Sequence, residues 1–312
     1  MRFNSARDLK NEITADPRWR TARDEKGVRM AIGIALGDHP DAYRIAVRAE
    51  DPDSVDQKIL ERITREAKGE VDVQYTGPLE IVPVHDPVPV KRLEIGASIA
   101  HYSCSAGTIG FFARRSSDGA LGIVSNNHVL AAQDQGRNDD EVLHPAPADH
   151  GGSPNDVVAY LDGDYPRLRA LRQTVDCAFA RLAREVSCDP RKISATETMR
   201  EAIGVPEKYL QVEKIGRTTK RTSGRIVTVE IEFIDVPYRF GHMPLFNQME
   251  IESTSEARFC SPGDSGSLVF TRDCEPVGLL FLGSRAGGAF NAGRAFANPI
   301  GDVLRSLSVT FA

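Results

Sequence analysis

The chain has 312 residues, 41% of them hydrophobic and 27% charged, and its 44 acidic and 39 Lys and Arg side chains give a formal net charge of −5. This composition is typical of one or two globular cores, and the mild negative charge argues against a nucleic-acid-binding protein, whose domains are usually basic. No stretch approaches the roughly 18 apolar residues of a membrane-spanning helix. The polar N-terminus lacks the apolar core of a signal peptide, so we expect a cytoplasmic protein without membrane contact.

The N-terminal quarter of the chain predicts a small α+β unit. Residues 1–25 are interpreted as a helix and a linker, and two apolar runs within residues 28–49 are predicted strands. Asp53 or Ser54 would cap a helix whose apolar positions recur at helical spacing, and an alternating third strand follows. The order β-β-α-β predicts an accessory domain over residues 26–90.

A proline-rich segment follows this unit, and the sequence beyond it changes character. Three prolines within residues 83–89 fix φ and remove backbone donors, which indicates an extended linker and a domain boundary near residues 85–95. Many short apolar runs between turn signals then favour a mainly β barrel or sandwich over residues 91–312. We expect a helix at residues 191–203 between two β halves, and a short closing helix at residues 300–307.

The cysteines indicate a reduced protein. There are five, an odd number for 312 residues, and they do not form the framework of a disulfide-stabilised fold. Their spacing matches no metal motif, and no glycine-rich phosphate-binding loop is present. We therefore expect free, mostly buried thiols, and the sequence implies neither a metal nor another cofactor.

Three residues of the second part of the chain have the chemical character of a hydrolase. Ser265 lies in the turn GDSG, but a serine hydroxyl needs a base, and that base needs a third group to fix its tautomer. His128 ends an apolar run in GIVSNNHVLAA. Asp176 lies in TVDCAFARL, where burial is costly unless the carboxylate accepts a hydrogen bond, for example from an imidazole. The order His128, Asp176, Ser265 predicts a catalytic triad.

In order, context and spacing these residues resemble the chymotrypsin-like (trypsin-fold) serine peptidases, whose fold is two six-stranded β-barrels with the triad between them. Within that fold the sequence is most similar to the cytoplasmic trypsin-like group that includes the plant narrow-leaf proteins and many bacterial relatives. The resemblance covers about residues 92–312 and rests on AGTIG at 106–110, SNNHVLA at 125–131, LHP at 143–145, VDCAFARL at 175–182, IGRTT at 215–219, PGDSGSLV at 262–269, GLLFLGS at 278–284 and FANPI at 296–300.

The resemblance implies a role for each residue of the triad. Ser265 would attack the scissile carbonyl, and His128 would take its proton and return it to the leaving amine. Asp176 would orient the imidazole, and the backbone N–H groups of Gly263 and Ser265 would form the oxyanion hole. This predicts a serine endopeptidase acting on a protein or peptide and, by analogy with bacterial relatives, on one dedicated partner protein.

The resemblance also implies where a substrate would bind. Phe259 would lie at the base of the specificity pocket, and Phe281, Leu282 and Gly283 would form one wall and pair with the substrate backbone. No carboxylate occurs between residues 256 and 264, so a preference for Lys or Arg is not expected.

Two alternatives remain for the side chain that this pocket accepts. Phe259 favours a shallow apolar pocket for small or aliphatic side chains. Arg285 or Arg294 could instead reach the pocket and favour acidic side chains.

Asp264, beside the nucleophile, raises a question of activation. In zymogen-type relatives this acid pairs with an amino terminus made by cleavage, but no secreted-type activation site precedes the peptidase region here. We hypothesise that no such cleavage is used. Either Asp264 is satisfied locally, or the N-terminal domain, a regulatory partner or a homo-oligomer orders the cleft.

Other motifs and functions were weighed against this interpretation. His144, Asp149 and His150 lie in a proline- and glycine-rich turn rather than at metal-ligand spacing, and the basic residues 216–225 favour a solvated hairpin over a phosphate site. A pseudopeptidase scaffold and an esterase with the same triad are the alternative functions.

Overall fold

The computed structural model describes residues 1–19, 30–37, 39, 42–80, 92–207 and 209–312, and its fold is mainly β. The helices are α1 (Phe3–Ala15), α2 (Gln57–Glu66), α3 (Asn127–Leu130) and α4 (Ile300–Leu307). The strands are β1 (Met30–Leu36), β2 (Tyr43–Ala49), β3 (Val71–Tyr75), β4 (Leu79–Glu80), β5 (Ser98–His101), β6 (Gly107–Thr108), β7 (Phe111–Arg115), β8 (Leu121–Ser125), β9 (Glu141–Leu143), β10 (Val157–Leu161), β11 (Ala178–Leu182), β12 (Gln211–Gly216), β13 (Lys220–Glu232), β14 (Ile234–Tyr238), β15 (Gly241–Leu245), β16 (Gln248–Ser253), β17 (Leu268–Thr271), β18 (Pro276–Ser284), β19 (Arg294–Pro299) and β20 (Val309–Phe311).

The first barrel is a curled sheet of eight strands in the order β20-β7-β8-β11-β10-β9-β5-β6. Its core contains the aliphatic and phenylalanine residues of the short apolar runs, among them Phe111, Phe112 and Val124, which are fully buried. The C-terminal strand β20 returns to this sheet and pairs with β7, as Phe311 stands opposite Ala113. The predicted closing helix, α4, precedes this return and is confirmed.

The second barrel is closed. Its strands follow the order β12-β17-β18-β19-β16-β13, and β13 also pairs with β12, which completes a ring of six. The closure depends on the length of β13, whose first residues pair with β12 and whose later residues pair with β16. The predicted mainly β, double-barrel architecture is therefore confirmed.

The N-terminal unit has the predicted element order, and its sheet continues that of the second barrel. β1 pairs with β13, β2 with β1, and β3 runs parallel to β2 after the crossover helix α2. The helix cap differs from the prediction, because Asp56 accepts hydrogen bonds from the N–H groups of Lys58 and Ile59. Asp51 instead caps the preceding 3-10 turn, so neither Asp53 nor Ser54 caps α2.

Two short elements lie outside the three strand arrangements described so far. β14 and β15 form a separate two-stranded hairpin. The strand β4 leaves the N-terminal unit and pairs antiparallel with β18, with Glu80 opposite Gly283 and Leu79 opposite Ser284. Most of the predicted proline-rich linker lies outside the described residues.

The predicted helix at residues 191–203 is wrong. The segment is a series of bends with a bridge between Lys192 and Thr198. The Ser194 hydroxyl donates to the Glu197 carboxylate, and such local side-chain hydrogen bonds compete with helix formation. Elsewhere among the described residues, no helix is both long and apolar enough to cross a bilayer.

Candidate active site

His128 and Asp176 come together through the strand register of the first barrel. Ser125, the last residue of β8, lies opposite Ala178 at the start of β11, so the residues just beyond these strand ends meet at one edge. The His128 Nδ1 atom lies 2.6 Å from Asp176 Oδ2, and the His128 backbone N–H donates to Asp176 Oδ1 at 3.2 Å. Asn126 donates to the Asp176 backbone carbonyl at 2.7 Å. The short helix α3 therefore holds the imidazole against the carboxylate.

Asp176 is fully buried, and two residues that the sequence did not single out complete its surroundings. The Tyr238 hydroxyl, on the β14–β15 hairpin, donates to Asp176 Oδ2 at 2.8 Å, and the Asp176 N–H donates to the Asn298 side chain at 3.0 Å. Burial and the neighbouring carboxylate raise the pKa of Tyr238 well above its ordinary value, so the phenol stays a donor. Asn298 belongs to FANPI, one of the motifs on which the family resemblance rests. Nothing near Tyr238 in the sequence indicated a role for that residue.

The nucleophile loop of the second barrel lies against the first barrel at two glycines. Gly263 and Gly266 have φ values of +90° and +92°, which favour glycine. A Cβ at Gly266 would collide with the Ser125 hydroxyl. Thr108 of the first barrel donates its N–H to the Ser265 carbonyl at 2.8 Å. These contacts fix Ser265 at the junction of the two barrels.

Gly107 shows that Ser265 and His128 lie on the same side of this junction. A Cβ at Gly107 would collide with Val129, the neighbour of His128, and would lie 3.1 Å from the Ser265 carbonyl oxygen. The Ser265 hydroxyl donates to the Phe281 carbonyl at 3.5 Å. Within the described residues, His128 Nε2 is buried without a hydrogen-bond partner.

The backbone N–H groups of Gly263 and Ser265 also donate to no atom of the described residues, whereas those of Asp264 and Gly266 donate to Ser261 and Leu280. Three polar groups at this junction are thus left for a ligand: a ring nitrogen and two N–H donors.

Asp264 is satisfied inside the protein, as one of the two hypotheses proposed. The side chains of Asp264 and Lys214 are fully buried, and Lys214 Nζ lies 3.4 Å from Asp264 Oδ2. Asp264 also accepts hydrogen bonds from the N–H groups of Thr218, Thr219 and Ser261 at 2.8, 3.1 and 2.9 Å. Burial lowers the pKa of Lys214, and the Asp264 carboxylate opposes that shift.

The basic stretch at residues 216–225 supplies this support. It lies in the β12–β13 hairpin, as predicted, but it is only partly exposed to solvent. Arg217 is 5% exposed and pairs with the buried Asp149, and Thr218 and Thr219 face Asp264. The prediction was wrong here because charge alone does not show that a partner carboxylate lies 68 residues away.

A cavity of about 230 Å³ adjoins the nucleophile loop, and Phe259 does not line it. Phe259 is 2% exposed and packs in the core of the second barrel with Val212, Ile226 and Ile251. Phe259 therefore does not form the base of this cavity, because it lies in the segment between β16 and β17 with its ring packed in the core.

Of the other predicted substrate contacts, only Gly283 lines the same cavity. Phe281 and Leu282 are buried in the core, and Gly283 lines the cavity. Arg294 does not, since it pairs with the buried Glu250 and Glu252, while Arg285 does. On this strand the cavity is therefore lined by Gly283, Ser284 and Arg285.

No protein-family model and no curated protein sequence matches the chain. Solved structures match it with low sequence identity. A glutamic acid specific serine protease shares 21% identity and a TM-score of 0.50 over 70% of this chain and 99% of its own. Protease A of Thermobifida fusca shares 18% and 0.48 over 70% and 97%, and Cellulomonas bogoriensis chymotrypsin 17% and 0.47 over 73% and 99%. The chain therefore has the chymotrypsin-like double-barrel fold, and membership of the narrow-leaf group stays a prediction.

Proposed function

We propose that the chain is a serine endopeptidase with His128, Asp176 and Ser265 as its catalytic triad. The observation that carries the proposal is the 2.6 Å contact between His128 Nδ1 and Asp176. This contact fixes the ring and leaves Nε2 as the nitrogen that can accept a proton. The nearby GDSG loop supplies a hydroxyl and two N–H donors without partners among the described residues.

In the proposed reaction, the Ser265 hydroxyl turns from the Phe281 carbonyl towards His128 Nε2. As Oγ bonds to the scissile carbonyl carbon, the proton passes to Nε2, and the N–H groups of Gly263 and Ser265 stabilise the oxyanion. The protonated imidazole then gives its proton to the leaving amine, which leaves an acyl-enzyme. Water repeats the sequence and releases the acid.

The proposal includes no activating cleavage. In this structure Lys214 already provides the ammonium that pairs with Asp264, and three backbone N–H groups complete its hydrogen bonds. An amino terminus made by proteolysis would have no remaining role at this carboxylate.

We also propose a cytoplasmic location and a dedicated protein substrate. The five cysteines are free in the structure, which suits a reducing compartment. The edge of β18 at Gly283 and Ser284 carries β4, so an extended substrate has to displace a strand. That requirement favours a protein with additional docking contacts over a short peptide, and β3, the last strand of its sheet in the described region, offers an edge to such a partner or to a second copy of the chain.

Fluorophosphonate labelling tests the triad. A fluorophosphonate phosphonylates an activated serine regardless of its peptide specificity, so wild type should be labelled and Ser265→Ala should not. Ser117→Ala, which changes an exposed serine of the first barrel, is the matched control and should be labelled like wild type. Unlabelled wild-type protein with the native fold would favour the pseudopeptidase alternative. Labelled protein that cleaves only esters, and no protein or peptide, would favour the esterase.

A further inference from the structure

The cavity beside the nucleophile loop has the position of a substrate side-chain pocket. Ser261 and Pro262 line it and directly precede Gly263. On its other side lie Gly283 and Ser284, which follow the Phe281 carbonyl that accepts the Ser265 hydroxyl. When the carbonyl carbon of a peptide residue is presented to Ser265, the side chain of that same residue would therefore enter this cavity.

Arg258 brings positive charge to the cavity. Arg258 and Arg285 both line it, both are exposed, and Arg258 Nη2 donates to the Arg285 carbonyl at 3.3 Å. This contact holds the Arg258 guanidinium across the cavity. Within the described residues Arg258 forms no ion pair with a carboxylate, whereas the nearby Arg294 is compensated by Glu250 and Glu252.

The remaining described lining adds no negative charge. Ser261, Pro262, Gly283 and Ser284 are neutral, and burial raises the pKa of Cys260 to about 12, so its thiol is also neutral at physiological pH. A water-sized group takes up roughly 30 Å³, so a cavity of about 230 Å³ has room for a glutamate side chain. A lysine side chain would meet the Arg258 guanidinium here, whereas a carboxylate would gain a charge-assisted hydrogen bond from it.

We propose that this cavity, the arginine pocket (Arg258, Cys260, Ser261, Gly283, Ser284 and Arg285), binds an acidic side chain of the substrate, at the residue whose carbonyl Ser265 attacks. The proposal rests on the proposed function and names its substrate class as peptides cleaved after glutamate or aspartate. It favours the acidic alternative over the apolar pocket that Phe259 suggested, because Phe259 is packed in the core.

Matched peptides that differ only at this residue test the proposal. Hydrogen bonds to charged groups predict that kcat/KM for Glu exceeds that for Gln by about 10–100-fold, with Lys lowest. Arg258→Ala should reduce the Glu-to-Gln ratio to a few-fold, and Arg258→Glu should raise cleavage after Lys. Arg184→Ala, an exposed arginine of the first barrel, should keep the wild-type ratio. A wild-type preference for Leu or Lys, or an unchanged ratio in Arg258→Ala, would overturn the proposal.

A binding measurement separates this proposal from the proposed function. Ser265→Ala protein is titrated calorimetrically with product-like peptides that end in Glu or Gln. Tighter binding of the Glu peptide, lost in Ser265→Ala with Arg258→Ala, supports the pocket even if wild type cleaves no peptide and binds no fluorophosphonate. Equal affinity for the two peptides contradicts the pocket, even if fluorophosphonate labelling confirms the nucleophile.

Discussion

The two barrels hold their parts of the candidate site by different means. In the first barrel, His128 follows β8 and Asp176 precedes β11, both strands pack around an apolar core, and their register brings the two residues together. In the second barrel, the loop that carries Ser265 is anchored by the fully buried ion pair of Lys214 and Asp264. Sheet geometry thus positions His128 and Asp176, whereas a buried ion pair positions the loop of Ser265.

Buried charge also joins the N-terminal unit to the second barrel. Arg48 of β2 pairs with the fully buried Glu250 of β16 at 3.0 Å and with Asp72 of β3 at 2.8 Å. Breaking such a pair leaves an uncompensated buried charge, while keeping it contributes little net stability. We infer that these ions act on which strands lie together more than on the net stability of the fold.

The largest expected effect is a loss of activity on changing Asp176, which the first barrel holds against His128. Asp176→Asn keeps the shape of the side chain but no longer holds the His128 tautomer that leaves Nε2 unprotonated, so kcat should fall by about 10⁴-fold. Stopped assays with an extended peptide measure this loss, and Asp273→Asn, an exposed change on the β17–β18 turn, is the control. A loss of less than tenfold would exclude Asp176 from the triad.

A change at the Ser265 loop of the second barrel should lower the stability of the protein as well as its activity. Asp264→Ala leaves the buried Lys214 ammonium without its partner, which should lower the free energy of unfolding by about 3–5 kcal/mol. Urea unfolding measures the change. Adding Lys214→Met to Asp264→Ala should restore part of the loss, because the unpaired charge is then gone. No recovery in the double variant would mean that the hydrogen bonds to Asp264, rather than the ion pair, hold the loop.

Tyr238 tests whether the β14–β15 hairpin contributes to the site that the first barrel builds around Asp176. Tyr238→Phe removes a hydrogen bond to the Asp176 carboxylate, so kcat should fall by about tenfold. Tyr102→Phe, at an exposed tyrosine, should keep the wild-type kcat. An unchanged kcat in Tyr238→Phe would show that Asp176 does not need this hydrogen bond.

The smallest expected effect concerns the segment that joins the barrels. Hydrogen bonds from Arg221 and Ser194 lower the pKa of Glu197 to about 2 from its ordinary 4.5. Because the folded-state pKa is lowered, this contribution is complete above about pH 4.5 and is lost as the pH falls towards 2. Thermal unfolding of Glu197→Gln should therefore lose less Tm than wild type between pH 5 and pH 2.5. Glu256→Gln, at an exposed glutamate, should follow wild type.

The sequence predicted best what short-range patterns control. The β-β-α-β order, the closing helix and the mainly β character follow from apolar periodicity and turn residues, whereas the double barrel followed from the family resemblance. The contact of His128 with Asp176 lies next to two strand ends. Pairings between distant segments were not visible. Lys214 with Asp264 and Tyr238 with Asp176 are 50 and 62 residues apart, and nothing local distinguishes them from surface residues.

The sequence could not show where Phe259 points, for a related reason. Phe259 lies in the segment between β16 and β17, and the direction in which its side chain points depends on the packing of the whole barrel. A single position in a motif carries no information about that direction.

The pairing of β4 with the edge of β18 makes the chain its own tethered competitor. Under the proposed function, an extended substrate adds to this edge, and β4 already occupies it at Gly283 and Ser284. A segment linked within the same molecule acts at an effective concentration of about millimolar. Free peptides must exceed that concentration or bring extra contacts, whereas a bound protein partner that draws β4 away would open the edge for itself. Selectivity would then arise from release of the strand as well as from the pocket.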